Sequence, residues 1–319
     1  MFLYFNNNLL VKKVLLNNKS LLNKFKIPGN QEGNISLLYL KSNQIGSSIF
    51  NNRKVIPDKK FMSMFLGFID GDGYFDIGEQ KQYNKKTHSM VKSTIRIRLA
   101  TNIHTRDLAL LEYFVEVLGV GKISKMSKRN QVRLIFFKQD LVGTIIPLIK
   151  NYNLEFLTKE RQRQYAIVSH ILDNNIIQWD ELNLNSIDIN LYSSNYIYYI
   201  NLDFFQDWII GFTIAEGSFG IKKNNSAFYQ IRQTGIESYE IIKAICLKIA
   251  LRKAYLIKPD SSNSYQLSLS SVKDIQCVID FFSSPSNYPL IGYKRIQYEE
   301  WLIKLLKIKR YERIRMPIK

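Results

Sequence analysis

Residues 65–77 read FLGFIDGDGYFDI, and residues 208–221 read WIIGFTIAEGSFGI. Each stretch is an apolar run that ends on a small residue, an acid and a glycine. In a helix, positions four apart share a face. Gly67 and Gly71 are so placed, and so are Gly211 and Ala215. Small residues at that spacing let two helix backbones approach closely. Two such helices in one chain point to a pair packed across a pseudo-two-fold axis. Asp72 and Glu216 each follow the second small residue, so the contact brings two carboxylates together at the C-terminal ends of both helices.

That is a poor place for ionised acids, because helix carbonyl dipoles and the partner's like charge both disfavour them. A divalent cation relieves the conflict. Carboxylate and carbonyl oxygens suit Mg²⁺, which takes few protein ligands and leaves room for water and phosphate. Gly-Asp-Gly alone is also an ordinary helix stop and turn. An EF-hand loop through Asp70, Asp72 and Asp76 is excluded, because its sixth position is Phe75 and its twelfth is Lys81. The recurrence, with an acid at the same offset each time, is what lifts the metal reading above a simple turn.

Outward from these motifs the chain runs twice through one pattern. After the first come strand-like YFDIGEQ and STIRIRLAT, helical TRDLALLEYFVEVLG, strand-like KISKMSK and QVRLIFFK, and helical DLVGTIIPLIKNY and KERQRQYAIVSHILDNN. After the second come SFGIKKN and AFYQIRQTG, then SYEIIKAICLKIA, then KAYLIKP and SYQLSLSS, then VKDIQCVIDFFSS and KRIQYEEWLIKLLKIKRY. Both passes give the order α-β-β-α-β-β-α-α. The organisation expected is an irregular basic extension over 1–57, a first domain over 58–179, a linker over 180–203 and a second domain over 204–319.

Composition narrows the function. The 319 residues carry a net charge of +18 with 46% hydrophobic residues. That describes a globular protein with a polyanionic partner, nucleic acid ahead of an anionic membrane surface. No apolar run reaches the roughly 18 residues that span a bilayer, so no membrane partner is expected. Cys246 and Cys277 are far apart and form no C-x-x-C pair, which speaks against a zinc site or a disulfide framework. The N-terminal stretch has lysines and no acid before Glu32. Its charge fits a mitochondrial presequence, its Asn and Leu content an unstructured basic extension. The bias towards Asn, Ile, Lys, Tyr and Phe is that of AT-rich codons and points to an organellar or otherwise AT-rich genome.

FLGFIDGDG and IIGFTIAEG resemble the paired motifs of single-chain LAGLIDADG homing endonucleases and their intron maturase relatives. The resemblance covers residues 60–319, and PLIGYKRIQYEEWLIKLLKI looks like the C-terminal part of fungal mitochondrial members encoded in group I introns. It implies an α+β monomer of two pseudo-symmetric αββαββα domains, each laying a saddle-shaped antiparallel sheet in a DNA major groove. It implies site-specific cleavage of both strands at a long asymmetric double-stranded target, beginning intron homing. The alternative it carries is a maturase that binds its host group I intron RNA, with or without cleavage. By motif position, Asp72 and Glu216 would ligate two or more Mg²⁺ ions, helped by the carbonyls of Gly71 and Ala215. Lys159 in LTKERQRQY and Lys294 in IGYKRIQY match lysines that hold solvent or charge near the scissile phosphates. Gln233 in YQIRQTG matches a polar strand position facing the active site, with Ala100 as its counterpart in the first half. In the second motif Ile214 replaces the acid that Asp70 supplies in the first, a departure that weakens local hydrogen bonding.

The strands supply the reading surface. In STIRIRLAT, apolar Ile95, Ile97 and Leu99 alternate with Thr94, Arg96 and Arg98. Two-stranded ribbons fit a major groove, where Arg reaches guanine. Arg96, Arg98, Arg133 and Arg232 are therefore candidate DNA contacts. Lys81, Lys85, Lys86, Lys128 and Lys223, in loops or near them, suit phosphate contacts that position without specifying.

Overall fold

A computed structural model describes residues 56–126, 129–187, 195–250, 257–259 and 263–317. Residues 1–55 of the expected extension, Lys128, and residues 253–256 of the expected KAYLIKP strand lie outside the described residues. The chain divides into two units by contact. Ile56–Trp301 belongs to one unit and contains both motif helices and both sheets. Leu302–Lys319 belongs to the other; its described part carries the end of the last helix and a short 3-10 turn at Lys309–Tyr311.

The first motif forms helix α1 (Lys59–Asp72), started by Asp58, whose carboxylate accepts the Phe61 amide at 2.7 Å. Every residue from Phe61 to Asp70 is buried. A helix apolar around its whole circumference belongs at the centre of a fold. From α1 the chain enters strands β1 (Gly73–Tyr83) and β2 (Met90–His104), a 3-10 turn (Thr105–Asp107) and helix α2 (Leu108–Leu118). Strands β3 (Lys122–Met126) and β4 (Gln131–Phe137) complete an antiparallel sheet of order β1-β2-β4-β3. An irregular helical stretch follows, with a π-helical part at Leu141–Ile145, ending in α3 (Ile146–Asn151); the long α4 (Lys159–Asp173) closes the repeat.

After α5 (Tyr196–Asn201) the second repeat begins with α6 (Phe205–Glu216), β5 (Ser218–Ile221), β6 (Ala227–Thr234) and α7 (Ser238–Ala250). It continues with β7 (Ile257–Pro259), β8 (Ser264–Leu269), α8 (Val272–Phe282) and α9 (Gly292–Leu305). Its sheet order is β5-β6-β8-β7, the same path as the first. The architecture is thus α+β, two pseudo-symmetric αββαββα repeats joined at the motif helices.

The α1–α6 contact explains the glycines. A Cβ added at Gly67 would lie 2.0 Å from the Trp208 carbonyl oxygen, and one at Gly211 would lie 1.7 Å from that of Met64. Met64 and Trp208 hold the same place in the two motifs, so the contact repeats about a two-fold axis. A Cβ at Gly71 would meet the Ala215 methyl at 2.4 Å. Backbone thus lies on backbone at Gly67 and Gly211, and small side chains meet at Gly71 and Ala215.

The two hairpins differ in length. The outer parts of β1 and β2, through the turn at residues 84–89, are exposed from Gln80 to Lys92. Beside them the Ile95 amide donates to the Ile177 carbonyl at 3.0 Å, and the Trp179 amide to that of Ser93 at 3.2 Å, covering an edge of β2 that β4 does not reach. The second hairpin is short and turns at residues 222–226.

Candidate active site

Because α1 and α6 end side by side, their last acids meet. Asp72 and Glu216 are both half-buried, and a Cβ at Gly71 would sit 3.7 Å from Glu216 Oε1. Burial raises the Asp72 carboxyl to about 6, against the pull of Lys294. Burial, and then the charge of Asp72, raise that of Glu216 to about 7. Lys294, on the first turn of α9, donates to the Gly217 carbonyl at 2.5 Å. Burial pulls its ammonium down in pKa, while Asp107, Asp72 and Glu216 hold it up.

The donor set fits a hard divalent cation. Two carboxylates made reluctant to ionise by burial and by a nearby like charge, Asp107 at Asp72 and Asp72 at Glu216, gain from a cation between them. The carbonyls of Gly71 and Ala215 belong to last turns, where helices leave oxygens without an internal partner. Among the described residues no cluster of three or more His, Cys, Asp or Glu forms a closed metal cage. A metal held here would keep coordination places for water and phosphate.

Two cavities are lined by residues of both repeats, and of these the larger reaches the acid pair while the smaller is lined by neither acid. The larger, about 250 Å³, is lined by Asp72, Ile214 and Ala215, by Asp107 of the first repeat and by Tyr293 and Lys294 of the second. The smaller, about 50 Å³, is lined by Thr158 and Lys159 of the first repeat and by Gln233 and Glu237 of the second. Each lysine therefore lies against the opposite repeat. Burial lowers the Lys159 pKa and the Glu237 charge raises it.

The strand pairing corrects one expectation. Tyr74 pairs with Ala100 and Ser218 with Gln230, each on the second residue beyond the motif acid. Ala100 is thus the counterpart of Gln230, and the counterpart of Gln233 is Ile103. Sequence alignment of these strands misleads because matching Thr101 to Thr234 puts Ala100 opposite Gln233, three residues out of register.

Asp70 is wholly buried and far from a simple helix-end group. Its oxygens accept from the Leu157 amide at 2.8 Å, the Thr158 amide at 3.0 Å, the Thr158 hydroxyl at 2.6 Å and Trp208 Nε1 at 2.8 Å. It fastens the start of α4. Ile214, its counterpart, is buried and apolar. At the start of α9 the Tyr293 amide donates instead to Asp107 Oδ1, at 3.1 Å. Sequence reasoning missed Asp107, because an acid in TRDLALL reads as the N-cap of its own helix.

The candidate DNA contacts are spread over the sheets. Lys81 lies on β1, 3.2 Å from Glu79, and Lys85 and Lys86 are exposed in the long hairpin's turn. Arg96 on β2 pairs with Asp76 at 2.9 Å, and Arg98 lies 5.5 Å from the centre of the Phe137 ring. Arg133 on β4 and Asn102 on β2 both donate to the Tyr74 hydroxyl, at 2.9 Å and 3.1 Å. Arg232 on β6 is exposed and donates to Ser264 Oγ at 3.2 Å; Lys223 is exposed in the short hairpin's turn. Cross-strand partners thus hold four arginines in set orientations.

The duplicated motif, the repeated sheet topology and the acid pair between them define a class. The family model described as "LAGLIDADG endonuclease" matches residues 65–171 and 209–305, and the chain belongs to that family. The curated relatives it is similar to include "Probable intron-encoded endonuclease Cox1-I1b" of Schizosaccharomyces pombe, 26% identical over 81% of this chain and 67% of that protein. Another is "Probable intron-encoded endonuclease aI3" of Dictyostelium discoideum, 20% identical over 76% of this chain and 97% of that protein. Among solved structures, the I-LtrWI LAGLIDADG homing endonuclease bound to target DNA has a TM-score of 0.58 and 20% identity, over 78% of this chain and 91% of that one. The I-CpaMI meganuclease bound to uncleaved DNA gives 0.59 and 22%, over 78% and 93%. Among the described residues no helix is long and apolar enough to cross a membrane.

Proposed function

We propose that the protein is a site-specific homing endonuclease that cuts both strands of a long asymmetric DNA target, with Mg²⁺, and so starts the movement of its own group I intron. The observation that carries this reading is the half-buried pair Asp72 and Glu216 at the junction of two antiparallel sheets in a chain of net charge +18. Family membership and the DNA-bound neighbours support it. A solved neighbour, I-SmaMI, is described as bound to its uncleaved DNA target with calcium ions, which supports a divalent site.

In this reading Asp72 and Glu216, with the carbonyls of Gly71 and Ala215, hold the metal. Bound Mg²⁺ ions would supply activated water and charge stabilisation at the leaving 3′ oxygen. Lys294, beside the pair, and Lys159, from the other repeat, would each stabilise charge building on a scissile phosphate. Gln233 orients water on the Lys159 side, and Ile103 gives the other side no such group. Arg96, Arg98, Arg133 and Arg232 read bases from the sheets, while Lys81, Lys85, Lys86, Lys128 and Lys223 hold phosphates. The protein acts as a monomer, because both halves of the site are present in one chain. Its relatives are intron-encoded, and its AT-rich residue usage supports a mitochondrial gene.

The test is selection of cleaved sequences from a randomised DNA library by the purified protein with Mg²⁺, beside Asp72→Asn and Glu216→Gln. One long site cut by the parent and by neither variant is the expected result. A folded parent that cuts nothing, yet binds its intron RNA, overturns the nuclease reading in favour of a splicing role.

A further inference from the structure

The two long closing helices carry corresponding lysines near their starts and are fastened differently. Lys159 and Lys294 hold the same position, so the Thr158 and Tyr293 amides are counterparts. Asp70 receives the first, from its own repeat; Asp107 receives the second, from the opposite repeat. Ile214 occupies the place from which an own-repeat acid would serve α9.

Three further facts single out Asp107. It stands at the N-cap of α2 yet makes no side-chain cap bond to that helix. Short acids at such positions ordinarily accept an amide of their own first turn, so this carboxylate has been turned elsewhere. Gly292, just before Tyr293, has φ +64°, and a Cβ there would stand 3.5 Å from Asp107 Oδ1. The chain thus uses a glycine to bring the start of α9 onto the acid. Beside it the Arg106 guanidinium lies 4.2 Å from the centre of the Tyr293 ring, closing the contact from the same turn.

We propose that Asp107 is a positioning residue for Lys294: from the opposite repeat it fixes the start of α9 in place of the acid that Ile214 displaces. The catalytic duty of Lys294 rests on the endonuclease reading; the anchor itself does not. One cleavage centre then has its lysine secured within one repeat, through Asp70 and Lys159. The other is assembled from both, through Asp107 and Lys294.

The test uses the full chain and four variants: Asp107→Ala, Asp107→Asn, Asp70→Ala and the double variant Asp107→Ala/Ile214→Asp. Amide hydrogen exchange is measured without DNA or metal, and the cutting rate of each strand is measured on the selected target. In Asp107→Ala, exchange at Tyr293 and Lys294 should rise about tenfold or more, while Leu157 and Thr158 stay protected. Asp70→Ala should do the reverse. Asp107→Asn, which keeps an acceptor oxygen, should stay close to the parent. On DNA, Asp107→Ala should slow one strand by up to about 100-fold and leave the other near its parental rate, so nicked product accumulates. Ile214→Asp should restore part of the lost rate. Should Asp107→Ala not fold, Asp107→Ser, too short to reach Tyr293, is read in the same way. Unchanged exchange at α9, or equal slowing of both strands, overturns the proposal. If the parent cuts no DNA, the endonuclease reading falls by itself, and the exchange measurements still decide the anchor.

Discussion

Asp70 and the acid pair are surrounded differently although only Gly71 separates Asp70 from Asp72. Asp70 faces donors only: two amides, a hydroxyl and an indole N–H. An Asn there must turn its own N–H₂ towards a donor. Asp70→Asn should therefore cost about 2–3 kcal/mol, read from urea unfolding; no loss would show that these bonds are not maintained in solution. The acid pair gives a pH prediction. Free carboxylates titrate near about 4, whereas Asp72 stands at about 6 and Glu216 at about 7. Between those limits the folded state keeps protons that the unfolded chain has released. Their contribution to stability without metal is greatest at low pH and is lost as pH rises through about 6 and 7. On the proposed reading Mg²⁺ would bind the ionised pair, so it should raise Tm at about pH 8 and barely at about pH 5. An equal rise at both, by calorimetry with chelator as the reference, would separate the metal from these acids. The two motif acids were legible in the sequence because their meaning lies in a local repeat. Asp107 was not, because its partner Tyr293 lies 186 residues on.

At the scale of elements, the central crossing should be the least tolerant part of the fold. A methyl at Gly67 meets main chain at 2.0 Å, which no rotamer change relieves. Gly67→Ala should cost at least about 3 kcal/mol. Gly143, in the π-helical stretch, has nothing within 4 Å of a would-be Cβ. Gly143→Ala should be neutral or stabilising by up to about 1 kcal/mol. Paired urea titrations test both, and similar losses for the two would mean that α1 and α6 do not touch as described. The spacing of small residues foretold this contact, since helix period alone decides which positions share a face. The correspondence of β6 with β2 was not foretold, because the shared threonines, Thr101 and Thr234, suggest a match that is three residues out. Helix α5, inside the stretch expected to link the repeats, was also unseen; YIYYIN is short and aromatic and carries no helical stripe.

For the whole molecule the charge sets the behaviour on DNA. With a net charge of +18, binding should weaken steeply with salt. If six or more phosphates are neutralised, affinity should fall about 1,000-fold or more between about 50 and 200 mM salt. A shallow slope in equilibrium binding would argue that the exposed lysines of the hairpins do not engage the backbone. The repeated order of elements was readable at this scale, because each repeat is a string of local signals. How the repeats interlock was not, because the bonds that cross between them, Tyr293 to Asp107 and Trp208 to Asp70, have no local pattern.

The closeness of α1 and α6 has a metrical consequence. With main chain against main chain at Gly67 and Gly211, the crossing has no slack to slide or splay. If the protein cuts as proposed, its two reaction centres are thereby held at a fixed separation, like the jaws of a locked caliper. The stagger between the two nicks would then be a dimension of the protein, and a target with an altered middle should be cut more slowly but never at a different spacing.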